Sequence, residues 1–217
     1  MRIKVTGLII ENNDVNKTNY NHEVYSMILS NLNIERAKRI HTKTKFKRLF
    51  TFTQPYINND KVHFYLAGEE ELIKDFINGI IRSQLIKIGG KVINIISVNE
   101  LDNKVKVKEE YYFKSKFIVN EMENGKVCLS NNKKYIEERI NRIAKDKYKD
   151  LYNEEIKDNL SVEILSMNRK FNKYKNHHIN CYDSVIKIKG NNKLVNVIYN
   201  VGMGENTASG HGFMWEV

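Results

Sequence analysis

Two apolar periods alternate along the first hundred residues, and their order leaves few folds open. Ile3 and Val5 alternate with Lys4 and Thr6 in Met1–Ile10, the period of two that marks a half-buried strand. Val24, Tyr25, Ile28, Leu29 and Leu32 then fall at i, i+1, i+4, i+5 and i+8, one helical stripe starting near Tyr20 or Asn21. Ile34–Ile40 reads as a short further helix that ends before His41. Leu49–Thr53 and Lys61–Leu66 read as strands, with turn residues at Pro55 and Asn58–Asp60 between them. Glu69, Glu70 and Glu71 open a second long helix with the stripe Leu72, Ile73, Phe76, Ile77 and Ile80. Its acids lie in the first turn and Arg82 in the last, the charge order that suits the helix dipole. Gly89-Gly90 interrupts the next apolar run, which resumes as Val92–Val98. The order β, α, β, β, α, β is that of the ferredoxin-like split βαβ unit.

A second unit starts near Asp102-Asn103, where Val105 and Val107 alternate with lysines. Lys116–Asn120 and Lys126–Leu129 flank the turn Glu123-Asn124-Gly125, and Tyr135, Ile136, Ile140, Ile143 and Leu151 stripe a helix. Ser161–Ser166, Ser184–Lys189 and Leu194–Val201 read as strands. No residue-level repeat relates the halves. The reading is an α+β chain of two tandem ferredoxin-like (βαββαβ, RRM-like) domains, at residues 1–100 and 101–217, the second degenerate and closed by a glycine-rich loop. A length of 217 residues accommodates two such domains, and 41% hydrophobic residues suffice for their cores.

That loop holds Gly202, Gly204, Gly210 and Gly212, four of the eleven glycines, as two Gly-x-Gly pairs around Glu205–Ser209. Glycine reaches positive φ and admits a second backbone at close range, and successive amides in such a loop can form an anion-binding concavity. No Gly-Lys-Ser/Thr follows, so the nucleotide fingerprints do not fit. The guest is then the phosphate of a polymer, or there is none and the glycines only turn the chain from Leu194–Val201 into a final strand at Phe213–Val217.

The charge favours the polymer. Thirty-six Lys+Arg against 26 Asp+Glu give +10 and a pI near 9.4, the balance that binds polyanions through counterion release. Asn, Lys and Ile are abundant throughout, so only clusters of basic residues carry weight. One such cluster runs from Arg169 to His178, where Arg169, Lys170, Lys173 and Lys175 interleave with Phe171 and Tyr174, a mixture that grips phosphates and stacks on bases. The longest apolar stretch, Leu85–Val98, is broken by Lys87, Lys91 and two glycines, and the N-terminus reads as a strand rather than a signal peptide, so a cytoplasmic protein with no membrane partner is expected. Cys128 and Cys181 are isolated from each other and from ligand-spaced histidines, which points to buried free thiols and to neither disulfide nor metal nor other cofactor.

Three separated features, in this order along the chain, resemble the CRISPR-associated endoribonucleases of the Cas-six family of RAMP proteins. Tyr20-Asn21-His22 leads into the first helix; His41 precedes the basic, aromatic segment Thr-Lys-Thr-Lys-Phe-Lys-Arg-Leu-Phe-Thr-Phe-Thr53; and GMGENTASGHG is similar to the family's GxGxxxxxGhG, with h hydrophobic. The resemblance implies metal-independent processing of precursor CRISPR RNA, in which a ribose 2′-hydroxyl attacks its own phosphate to leave 2′,3′-cyclic phosphate and 5′-hydroxyl ends. His41 takes the general acid or base role, the one histidine side chains most often fill, and Lys47 or Arg48 the cation beside the developing charge. Lys43 and Lys45, the cluster Arg169, Lys170, Lys173 and Lys175, and the loop residues Gly202, Gly204, Asn206, Ser209, Gly210, His211 and Gly212 would hold the RNA. The partner implied is CRISPR repeat RNA, with other subunits of a CRISPR interference complex and a homodimer as further options. Two departures stand out: a family tyrosine late in the first helix falls on Asn31, beside Ser30, and the hydrophobic position of the loop is His211. A noncatalytic RAMP subunit that only holds guide RNA is the alternative.

Overall fold

A computed structural model describes residues 1–13, 20–42, 46, 49–174 and 177–217, with backbone alone at 172–174, 177 and 178. In its first half β1 (Arg2–Asn12) leads through α1 (Asn21–Ser30) and α2 (Ile34–Thr42) to β2 (Phe50–Phe52), β3 (Tyr56–Asn58) and β4 (Lys61–Gly68). Next come α3 (Glu70–Ser83), β5 (Leu85–Ile88) and β6 (Lys91–Glu100). The strands pair antiparallel in the order β2-β4-β1-β6-β5, with β3 beside β4. This is the permutation a split βαβ unit requires, extended by a β5–β6 hairpin at Gly89-Gly90. Alternation does the sorting: Ile3, Val5, Phe50, Phe52, Val62, Phe64 and Leu66 turn inward to meet Val24, Ile28, Leu72, Ile73, Phe76 and Ile80 of the helices. Thr51, His63, Tyr65 and Lys4 take the intervening positions on the other face.

The second half repeats the plan. β7 (Tyr111–Phe117), a hairpin of β8 (Asn120–Glu123) and β9 (Lys126–Leu129), α4 (Lys133–Tyr152), β10 (Leu160–Tyr174) and β11 (His177–Gly190) come first. After them run α5 (Asn192–Val201), a 3-10 turn at Thr207–Ser209 and β12 (Met214–Glu216). The sheet order β10-β11-β7-β12 is the same permutation as in the first half. A second cluster of buried side chains runs from Val105 to Met214, and the first draws one residue from the far end of the chain, Ala208.

One sequence-based assignment is corrected. Leu194–Val201, expected as a strand, lies in helix α5. Leu194, Val195, Ile198 and Val201 recur at helical spacing and are buried, and Asn191 starts the helix by accepting the Lys193 amide at 2.8 Å. The alternation of Val105 and Val107 forms no strand: Val105 is buried and Val107 exposed in an irregular connection. The β10–β11 ribbon outruns its sheet, because β7 pairs with β11 only from Tyr182 to Ile188.

Candidate active site

The glycine loop is a joint between the two sheets. All four of its glycines have φ between 76° and 89°, and close approach accounts for the two clearest cases. A Cβ on Gly212 would stand 2.1 Å from the Met203 carbonyl oxygen, and one on Gly204 2.6 Å from that of Ile118. The Gly212 amide donates to the Lys116 carbonyl at 2.5 Å and the Glu205 amide to Ile118 at 2.8 Å, tying the loop to β7 and the residue after it. On the other side Thr51 Oγ1 of β2 donates to the His211 carbonyl at 2.7 Å, and Asn21 Nδ2 of α1 to that of Ser209 at 2.8 Å. Arg139 holds the Glu205 carboxylate at 3.0 Å, and Lys147 Nζ donates to the Gly202 carbonyl at 2.6 Å. Beside the loop Arg2, 1% exposed, sends its guanidinium from β1 to the carbonyls of Tyr199 and Met214 at 2.5 and 2.6 Å. It lies between the Tyr199 and Phe213 rings, and burial lowers its pKa to about 10.

Among the loop residues expected to touch RNA, Gly202, Gly204, His211 and Gly212 are buried, whereas Asn206 is exposed and Ser209 and Gly210 partly so. The amides of Met203, Glu205, Ser209, Gly210 and Gly212 all donate to protein carbonyls, so they do not form the anion nest the glycine pattern allows. The His211 imidazole is turned into the protein, where burial above all, and Lys116 after it, lowers its pKa to about 4.

His41 stands exposed in the last turn of α2. Its ring meets that of Tyr25 edge-on, centroids 6.3 Å apart at 82°. Tyr25 in turn stacks on Phe50 at 6.3 Å and 7°. Two elements therefore serve both His41 and the loop. On α1, Asn21 and Tyr25 are one turn apart, about 6 Å along the axis; on β2, Phe50 and Thr51 are neighbours. Asn31 caps α1 and donates its side-chain amide to the Met27 carbonyl at 2.9 Å. Lys43, Lys45, Lys47, Arg48 and Lys175 lie outside the described residues, and Lys173 is described by its backbone. Arg39, exposed on α2, sits 5.5 Å from the Phe46 ring.

A cavity of about 510 Å³ opens between the two sheets. One wall carries Thr53, Tyr56, His63 and Tyr65, the other Lys114, Ser115, Lys116, Asp183 and Trp215, with Gly210 of the loop and Phe213 between them. Its aromatic rings form a chain: Tyr56–His63 at 5.0 Å, His63–Tyr65 at 5.7 Å, Tyr65–Trp215 at 4.6 Å and Trp215–Phe213 at 4.8 Å. Burial first, then the charge of Lys4, lowers the His63 pKa; Lys114 and Lys116 stand on the opposite wall beside Asp183. No sequence motif marks these residues. Their signal was the polar half of each strand alternation, which identifies an open face without showing what lies opposite.

The projecting β10–β11 ribbon presents a third surface. Phe171 is 67% exposed with the Arg169 guanidinium 5.6 Å from its ring, and Lys170 is exposed beside it. Cys128 is half-buried and Cys181 buried, and neither forms a disulfide. Among the described residues no three His, Cys, Asp or Glu side chains are grouped to hold a metal ion, and no helix is long and apolar enough to cross a membrane.

The family model for CRISPR associated protein Cas6, C-terminal, matches residues 96–216. A Methanocaldococcus jannaschii protein named CRISPR-associated endoribonuclease Cas6 1 is 27% identical over an alignment of 222 positions that covers 91% of this chain and 87% of that protein. A solved structure described as an RAMP protein binding different RNA substrates superposes over 100% of this chain and 99% of its own with a TM-score of 0.82 at 22% identity. A Cas6-related gene product from Pyrococcus furiosus does so over 100% and 98% with a TM-score of 0.84 at 21% identity. At these identities the two structures establish the fold.

Proposed function

The chain belongs to the CRISPR associated protein Cas6 family, and from that premise we propose that it is an endoribonuclease that cuts precursor CRISPR RNA within or beside its repeats, without a metal ion. The relative from M. jannaschii is named a CRISPR-associated endoribonuclease. What carries the reading in this chain is one helix: α1 holds the exposed His41 through Tyr25 and, a turn earlier, the cleft-lining loop through Asn21.

The chemistry asks little of the protein beyond geometry and proton transfer. The 2′-oxygen of one nucleotide attacks the adjacent phosphorus while the 5′-oxygen of the next departs. The products are a 2′,3′-cyclic phosphate and a 5′-hydroxyl. His41 exchanges a proton with the attacking or the leaving oxygen, and Lys47 or Arg48 stabilises the charge that builds on the phosphoryl oxygens. The cleft between the sheets takes unpaired nucleotides, with bases on Tyr65 and Trp215 and phosphates on Lys114 and Lys116. Arg169, Lys170 and Phe171 on the ribbon extend the contact.

The test is end-labelled repeat RNA incubated with the protein in EDTA. Cleavage should proceed, stop when the scissile nucleotide is 2′-deoxy, and fall about 100- to 10,000-fold in His41→Ala, the range for loss of a general acid or base. Full activity in His41→Ala removes His41 from the mechanism; tight binding with no product from the unaltered protein identifies a noncatalytic subunit.

A further inference from the structure

We propose that Tyr25 is the positioning residue for the His41 imidazole and acts through its ring, an inference that rests on His41 being the proton-transfer group. His41 lies exposed in the final turn of a helix, where its torsions have several staggered wells to choose from. The Tyr25 ring selects among them. The 82° angle and 6.3 Å separation are the edge-to-face geometry that aromatic rings prefer. Contact with a mobile ring would orient nothing, but Tyr25 is anchored: it lies nearly parallel to Phe50, and Phe50 is fully buried in β2. The next residue, Thr51, bonds to the loop at His211, and Asn21, four residues before Tyr25 on α1, bonds to it at Ser209.

The imidazole is thereby referred to the same strand and helix that fix the joint between the sheets. RNA bound across that joint and the group that moves its proton share one frame. Asn31 gives no such support among the described residues, since its side-chain amide closes α1 onto Met27 and its backbone carbonyl oxygen would stand 1.9 Å from a Cβ on Gly79 of α3. Misplacing a catalytic group by about 1 Å costs on the order of 100-fold in rate. Loss of the ring should therefore appear in the cleavage step and not in RNA affinity.

Two substitutions separate ring from hydroxyl. Tyr25→Phe keeps the ring and should cut within about twofold of the unaltered protein; Tyr25→Met fills the space with a flexible chain and should lower the single-turnover rate about 10- to 100-fold at unchanged RNA Kd. The His41 imidazole resonance in NMR should move in Tyr25→Met and stay in place in Tyr25→Phe, a readout that a purely structural role would not produce. In a His41→Ala background Tyr25→Met should cost nothing further. A Tyr25→Met protein at full rate, or a Tyr25→Phe protein as slow as Tyr25→Met, overturns the role of the ring while leaving His41 in place. Full activity in His41→Ala alone overturns the reading of His41 and this inference with it.

Discussion

Acid should loosen the joint between the sheets through one residue, His211. It occupies the loop position where the family pattern has a hydrophobic residue, and only 1% of it is exposed. Burial, with Lys116 as the second cause, carries its pKa from 6.5 down to about 4. The folded chain thus keeps His211 neutral while the unfolded chain already takes up a proton. The stability this provides is complete above about pH 6.5 and is lost as pH falls through the folded value near 4. At about 1.36 kcal/mol per pH unit the full loss is about 3 kcal/mol, with about 2 kcal/mol of it gone by pH 5. Against a typical stability of about 5–15 kcal/mol, that is a large share. Urea unfolding at pH 7.5 and pH 5 measures it, with His211→Leu as the non-titrating comparison. The unaltered protein should lose about 2 kcal/mol more than the variant over this interval. His63 shifts in the same direction but is present in both proteins, so its contribution cancels. Equal losses in the two proteins would refute the assignment of acid sensitivity to His211.

Gly212→Ala places a Cβ 2.1 Å from the Met203 carbonyl at a φ of 85°. It should cost about 3 kcal/mol or more, visible as a thermal midpoint lowered by roughly 6–12 °C. Arg2→Met leaves the carbonyls of Tyr199 and Met214 without their donor. A loss of about 2–4 kcal/mol in urea unfolding is expected, and an unchanged midpoint would show that the guanidinium does not hold the joint. Trp215→Ala and Tyr65→Ala should each weaken single-stranded RNA binding about 5- to 150-fold with an unchanged salt slope. Lys114→Ala should instead weaken binding evenly across sequences and lower the slope of log K against log salt by about 1. Both sets are read by fluorescence anisotropy at several salt concentrations.

Which parts of this molecule could be read from its sequence follows from how far the deciding interaction reaches. The core faces of β1, β4, α1 and α3 are local: Ile3 and Val5, or Leu72, Ile73, Phe76 and Ile80, announce their element by period alone. Helix α5 carries the same kind of stripe in Leu194, Val195, Ile198 and Val201, but Val195, Val197, Ile198 and Val201 are β-branched residues that also suit a strand. The cap at Asn191 distinguishes the two, and it lies outside the apolar run. Tyr25 falls in the apolar stripe of α1, and the residue it faces, His41, is sixteen positions away on another helix. The cleft is less local still. Tyr65 and Trp215 are 150 positions apart, and only the pairing of two separate sheets through β1, β7 and the loop brings them within 4.6 Å.

The glycine loop shows how one legible motif serves two kinds of neighbour. Positive φ at Gly202, Gly204, Gly210 and Gly212 is a requirement of backbone shape, and a phosphate pressed against a loop imposes the same requirement as a second backbone does. In this chain the second backbone is the neighbour: the Met203 carbonyl at Gly212, the Ile118 carbonyl at Gly204. The pattern therefore reports how closely two sheets are joined, and it bears on RNA because that joint sets the cleft. Moving the loop outward to make room for a single Cβ would shift Gly210 and Phe213 in the lining of the cleft. Through Asn21 and Thr51 the same movement would reach the helix and strand that hold Tyr25 against His41. A glycine substitution should thus impair RNA binding and cleavage together, although the amides it displaces contact protein carbonyls.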